Sequence, residues 1–206
     1  MSRAPTFGWL LLFAGAVAWA TGCSSAPPSE PDNICSILKD RPAWYRAAAK
    51  SESRWGTPIP IQFAFVARES SFERRARPPR RRILGLIPGS RPSSAYGYAQ
   101  ATTPTWDAYR EATGKRFADR DDFGDAVDFI GWYNAQTKRR NGIALTNARH
   151  LYYAYHEGWG GYARGSFRKK RSVQSYAAKV EQRAARYSRQ FDGCKQRFKR
   201  RRLFFN

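Results

Sequence analysis

Histidine and cysteine are scarce, with two and three residues in a chain of 206. None of them falls at a recognised zinc-ligand spacing, so a zinc site built on them is excluded. A Gly-rich loop of the form GxxxxGK[ST] is also missing, which removes the phosphate cradle of many nucleotide enzymes. No long run alternates apolar and polar residues, so a large half-buried sheet is not expected. Acidic side chains are few: 16 Asp and Glu face 37 Lys and Arg, for a formal charge of +21. Such an imbalance calls for an anionic partner without naming it. Aromatics are not scarce. With 7 Trp, 11 Tyr, 13 Phe and 42% hydrophobic residues, the chain has far more to bury than a disordered one. Its length suits one domain with appendages, at roughly 100–200 residues per domain.

The N-terminus has Arg3, an apolar run from Phe7 to Ala20, then Thr21-Gly22-Cys23. The run has the length of a signal-peptide core and falls short of the roughly 20 apolar residues that span a bilayer. It resembles a bacterial lipoprotein signal, with Ala20 where Leu is more usual. That resemblance implies cleavage before Cys23, a lipid on its thiol and, with Ser24 following, sorting to the outer membrane facing the periplasm. Residues 1–22 are then the signal and residues 23–32, rich in Ser and Pro, a flexible tether. Only Arg3 leaves with the signal, so the basicity belongs to the body. With Cys23 lipidated, Cys35 and Cys194 remain at opposite ends of a domain over 33–194, and outside the cytoplasm a disulfide is the simplest expectation. Two free buried thiols are the alternative. Residues 195–206 read as a basic tail, whose Leu203-Phe204-Phe205 end either touches membrane or a partner or docks on the body.

Helix signals dominate the body. They predict one or two helices over 33–54, broken or begun at Pro42, and others over 59–72, 104–113, 122–140, 146–156 and 173–191. Thr103-Pro104 reads as a cap and first-turn proline, and Gly114 as the stop of that helix. Residues 74–96, rich in Arg, Pro and Gly, read as a long loop with a short hairpin near Ile83 to Ile87. Its first part, 74–92, is either a rim of a cleft or a mere connection.

One carboxyl sits where it is costly. At helical steps of three and four, Ile61, Phe65, Glu69 and Phe72 share a stripe, which puts Glu69 on an apolar face. Desolvation there raises a carboxyl toward the range where it holds and delivers a proton at neutral pH, as a general acid does. The alternative is a helix-end glutamate that bends into water or pairs with Arg68 or Arg74.

Glu69-Ser70-Ser71-Phe72, then Ser94-Ala95-Tyr96-Gly97-Tyr98-Ala99-Gln100 with Thr103-Pro104-Thr105-Trp106, then Ala154-Tyr155-His156-Glu157-Gly158 resemble three successive motifs of the soluble lytic transglycosylase family. The usual forms are Glu-Ser, Gly-Leu-Met-Gln and Ala-Tyr-Asn-Ala-Gly, and the resemblance covers residues 60 to about 165. It implies a mainly α, lysozyme-like fold and a peptidoglycan glycan strand as substrate, with no metal or cofactor. Glu69 is implied as acid and base, Ser70 as its oriented neighbour, Gln100 as a contact to sugar or acetamido groups, and Tyr155 as a cleft residue. Tyr98, His156 and Glu157 fall at motif positions expected to meet substrate. The implied chemistry cuts between N-acetylmuramic acid and N-acetylglucosamine and leaves a 1,6-anhydro end, the sugar's own acetamido and 6-hydroxyl groups replacing water.

The chain departs from the family at Tyr98-Ala99, in place of Leu-Met, and at His156-Glu157, in place of Asn-Ala. Glu157 has two readings: a second cleft carboxyl that activates water, giving a lysozyme-type hydrolase, or the partner of an arginine. His156 reads as a structural hydrogen-bonding side chain and His150 as exposed. Of Tyr96, Tyr98, Trp106, Tyr152, Tyr153, Tyr155 and Trp159, two or three are expected in the cleft and the rest in the core. Gly97 and Gly158 suit positive φ angles or close backbone approach. Basic clusters at 74–82, 168–171 and 195–202 would fit nucleic acid in a cytoplasmic protein, but the signal argues against it. A glycan-binding lipoprotein with an inactive cleft is the non-enzymatic alternative.

Overall fold

A computed structural model describes residues 26–83 and 86–203; the apolar run and Cys23 lie outside these residues. The fold is mainly helical. In chain order it has α1 (Ile34–Asp40), α2 (Pro42–Trp55), α3 (Ile59–Ser70), β1 (Arg82–Ile83), β2 (Ile87–Pro88), α4 (Thr103–Thr113), α5 (Phe123–Asn141), α6 (Ala148–Ala163), a 3-10 turn (Ser166–Lys169) and α7 (Arg171–Leu203). None of the described helices is long and apolar enough to cross a membrane.

The helix ends follow local chemistry. Asn33 and Asp122 accept backbone N–H bonds at the starts of α1 and α5, and α2 begins on Pro42. Glycines 56, 114 and 142 close α2, α4 and α5 in the left-handed conformation. The cap of α4 is Thr102, one residue before the expected Thr103. The hairpin at 82–88 forms as a two-stranded antiparallel pair, Ile83 opposite Ile87, with Leu86 87% exposed at its turn.

Two helices have apolar residues on nearly every side and so lie inside the bundle. Along α3, every residue from Ile59 to Ala67 is buried, and along α5 so is every residue from Ala126 to Asn134. A cluster of Trp44, Phe63, Phe72, Tyr98 and Phe123 closes one end, with Trp44 stacked 3.9 Å from Phe123. Asp128 is a buried charge on α5, satisfied by Tyr109 at 2.8 Å, the Trp55 indole at 2.9 Å and Lys115 at 3.0 Å.

Both ends of the body are more firmly attached than the sequence predicts. The expected tether is held from Ala26 onward: Arg41 donates to the Ala26 carbonyl at 2.8 Å, Pro28 is buried, Tyr187 donates to the Pro31 carbonyl, and Arg186 meets Asp32 at 2.6 Å. Residues 195–203 are no loose tail either, because α7 continues through them and Phe198 is buried against Tyr45, ring centroids 5.4 Å apart. No proline or glycine after Cys194 interrupts the helix. Cys35 and Cys194 form a disulfide that ties α1 to α7.

Candidate active site

Glu69 occupies the last turn of α3, at the point where that buried helix reaches the surface, and is itself half-buried. Burial pushes its carboxyl up to about 7, against smaller downward effects from a hydrogen bond with Tyr152 and the charge of Arg68. Neither arginine expected as a salt-bridge partner takes that role. Arg74 pairs with Asp121 at 3.5 Å, and the Arg68 guanidinium lies 3.7 Å from the ring centroid of Tyr176. Tyr152 and Tyr155 stand three residues apart on one face of α6, and both interact with Glu69.

Backbone conformation is unusual just after this carboxyl and at the end of the second motif. Ser71 and Phe72 follow it with φ of 51° and 63°, and Gln100 has φ of 46°. Positive φ is costly for a bulky residue such as Phe and persists where surrounding packing fixes it. Phe72 is fully buried beneath Trp44, which supplies that packing.

The second motif is a tight turn, bridged between Tyr96 and Ala101. Gly97 has φ of 75°, and a Cβ there would lie 1.9 Å from the Arg120 carbonyl oxygen, so only glycine fits. The Gln100 amide donates to the Gly97 carbonyl at 2.8 Å and to the Ala76 carbonyl at 2.9 Å, fastening the turn to the strand of chain that leaves α3. The third motif joins from the other side, where the Tyr155 hydroxyl donates to the Ala99 carbonyl at 2.6 Å. Gly158 interrupts α6 with φ of 73° and ψ of 161°, as its position in that motif predicts.

Thus Tyr155 of the third motif both interacts with the raised Glu69 carboxyl of the first and bonds to Ala99 of the second, which ties together three segments far apart in sequence. The chain belongs to the transglycosylase SLT domain family. The family model, described as "Transglycosylase SLT domain", matches residues 11–194. No curated protein and no solved structure matches the chain. Membership in the SLT family supports a transglycosylase-type enzyme acting on peptidoglycan, and the helical fold agrees with it.

Several expected site residues of this SLT domain are placed otherwise. Tyr98 is 6% exposed and its ring packs on Trp44 and Phe123, so it serves the core rather than the cleft. Ser70 is buried and returns its hydroxyl to the Val66 carbonyl one turn back, so it does not orient Glu69. The Gln100 amide nitrogen is committed to the Gly97 and Ala76 carbonyls and so fastens its own turn. Glu157 meets Lys170 at 2.9 Å, not an arginine, and also accepts from Ser166. Its side chain is 4% exposed; burial acts upward on it, but hydrogen bonds from Ser166, Lys170 and His156 prevail and hold it at about 2. His156 is exposed, with Nδ1 3.2 Å from Glu157. His150 is half-buried instead of exposed and pairs with the Tyr162 hydroxyl at 2.7 Å.

From the aromatic set, Tyr152 and Tyr155 flank Glu69. Tyr153 stacks on Phe167, Trp159 on Tyr133, and Trp106 is buried. The pairing of Tyr152 with Glu69 and the seat of Arg68 on Tyr176 are not evident from the sequence, where the Tyr152–Tyr155 spacing on α6 is the one available signal. Glu69 lines neither of two cavities in the molecule, one of about 330 Å³ between α3 and α7 and one of about 350 Å³ beside the disulfide. Among the described residues, no group of three or more His, Cys, Asp or Glu is gathered to hold a metal ion.

Proposed function

We propose that this chain is a lytic transglycosylase that cuts the β-1,4 bond between N-acetylmuramic acid and N-acetylglucosamine, with Glu69 as both acid and base. The observation that carries the reading is a single raised carboxyl at the junction of all three motifs, while Glu157 is held ionised by Lys170 and Ser166. In the first step the Glu69 carboxyl gives its proton to the glycosidic oxygen as the C1–O bond breaks. The substrate's acetamido oxygen captures C1. The resulting Glu69 carboxylate then takes the proton of the 6-hydroxyl, whose oxygen displaces the acetamido group and closes the 1,6-anhydro ring. The proton lent at the start returns, and no water is consumed.

A hydrolase of lysozyme type needs a second carboxylate to stabilise or activate. Glu157, the residue considered for that task, is engaged elsewhere, which favours internal capture over hydrolysis. Digestion of purified peptidoglycan followed by mass spectrometry of the muropeptides tests this. Anhydro ends, lighter than reducing ends by one water, are expected. Reducing ends would replace the proposal with hydrolysis, and no release at all would leave a glycan-binding protein.

We further propose that Cys23 carries a lipid that anchors the protein to the outer membrane facing the periplasm. The apolar run ending in Thr21-Gly22-Cys23 supports it. A Cys23→Ala variant is expected to move from the membrane fraction to the soluble fraction after cell fractionation; retention with the membrane would refute the anchor.

A further inference from the structure

The stripe of α3 next to the one carrying Glu69 faces a different environment. Ala64, Ala67, Arg68 and Ser71 recur there at steps of three and four and form one wall of the cavity of about 330 Å³ against α7. This size falls within the roughly 300–1,000 Å³ range of small-ligand sites. The small side chains of Ala64, Ala67 and Ser71 leave room beside Arg68, while α7 contributes Lys179, Arg183 and Arg186. Together with Arg68, four cations line the space, and no carboxylate does.

Like charges gathered in one hollow repel unless something of opposite sign sits between them. Asp32 serves part of this need from outside, reaching Arg186 at 2.6 Å and Arg183 at 3.3 Å. It does not complete the set. The Nε–H groups of Arg68 and of Arg186, both on lining residues, are buried without a hydrogen-bond acceptor. A buried donor left unpaired costs about 1–3 kcal/mol, more on a charged group, and so marks a place where an acceptor belongs. Guanidinium groups present N–H pairs that match the two oxygens of a carboxylate or phosphate. Arg68 is also steadied from behind by the Tyr176 ring, so its orientation is already fixed.

We infer that the α3–α7 cavity is an oxyanion-binding site in which Arg68, Lys179 and Arg186 hold a carboxylate or phosphate group. Both sources exist in the setting proposed above: acidic peptides borne by the wall polymer and phosphate groups of lipids or metabolites. Glu69 does not itself line the cavity, although its neighbour Arg68, whose charge acts on the Glu69 carboxyl, does.

Calorimetric titration of the full-length protein at constant ionic strength tests the inference. The probes are inorganic phosphate and an unblocked tripeptide with free side-chain carboxylates, with its fully amidated form as the blank. One-to-one saturation is expected with at least one of the two anions, and weakening of tenfold or more in Lys179→Gln/Arg186→Gln. Lys138→Gln/Arg139→Gln, exposed residues at the end of α5 that remove equal charge, should leave the affinity unchanged. Tighter binding of the tripeptide assigns the site to carboxylates; tighter binding of phosphate assigns it to phosphates. Because Arg186 also holds Asp32, Lys179→Gln alone, at an exposed position, serves as the variant safest for folding and should weaken binding about threefold. Absence of saturation with both anions, or equal weakening in both double variants, overturns the inference. No glycan enters these titrations, so their failure is distinguishable from failure of the proposed cleavage.

Discussion

A Glu69→Gln variant is expected to fold and to release muropeptides about 10²–10⁴-fold more slowly than the parent, the usual contribution of a positioned acid. Gln preserves the shape of the side chain but has no proton to give. Glu157→Gln is the matched comparison and should retain most of the rate, since that carboxyl is engaged by Lys170 and Ser166. The pH profile follows from the same burial. Glu69 must be protonated to act first, so kcat/KM should fall about tenfold per pH unit once the pH passes about 7, and this limb should vanish with the residual rate of the Gln variant.

The Gln variant should gain stability where it loses activity. Glu69 binds its proton more tightly in the folded chain, at about 7, than the ordinary value of 4.5. Between those two values the native state holds more protons than the unfolded one, so stability falls as pH rises through that window. The neutral Gln side chain escapes this penalty. Glu69→Gln should therefore be more stable than the parent at pH 8, on the order of 1–3 kcal/mol given the carboxyl's partial exposure, with little difference at pH 4. Thermal melts at the two pH values read this directly. An unchanged gap between variant and parent would mean that burial does not raise Glu69, and the case for an acid poised at neutral pH would go with it.

What the sequence made legible was periodicity and punctuation. The stripe through Ile61, Phe65 and Glu69 holds because that information is local to α3, whereas Phe72, expected on the same stripe, lies past the end of the helix at positive φ. Helix starts and stops at Asn33, Pro42, Gly114 and Asp122 were legible for the same reason. Tyr98 was misread because it lies in a turn, where no period says which way a side chain points; the glycine before it turns the ring toward Trp44. The fastening of Gln100 was not legible because its partner, the Ala76 carbonyl, is a backbone group 24 residues away that carries no sequence signal. For residues 26–32 the composition was that of a linker, and their attachment depends on Tyr187, Arg186 and Arg41 across the fold. Non-local partners account for each of these differences.

The Cys35→Ser/Cys194→Ser variant is expected to lose about 5 kcal/mol of stability, the loop-closure estimate for a bridge spanning 159 residues. For a domain of this length that corresponds to roughly 10–20 °C in Tm. The bridge stabilises chiefly by restricting the unfolded chain, since it joins the first helix to the last and so closes almost the whole body into one loop. In the folded state its removal falls on the α1–α7 contact and the Tyr45–Phe198 pair, at the end of α7 remote in sequence from Tyr176 and Lys179. Activity at low temperature should accordingly persist in the variant, while chemical denaturation shows an earlier midpoint at nearly the same initial rate of glycan release. Reduction of the parent with a thiol should reproduce the variant. If the loss were below about 1 kcal/mol, the unfolded ensemble would already hold its two ends together, and the contacts of residues 26–32 with α7 would be the first place to look for that restraint.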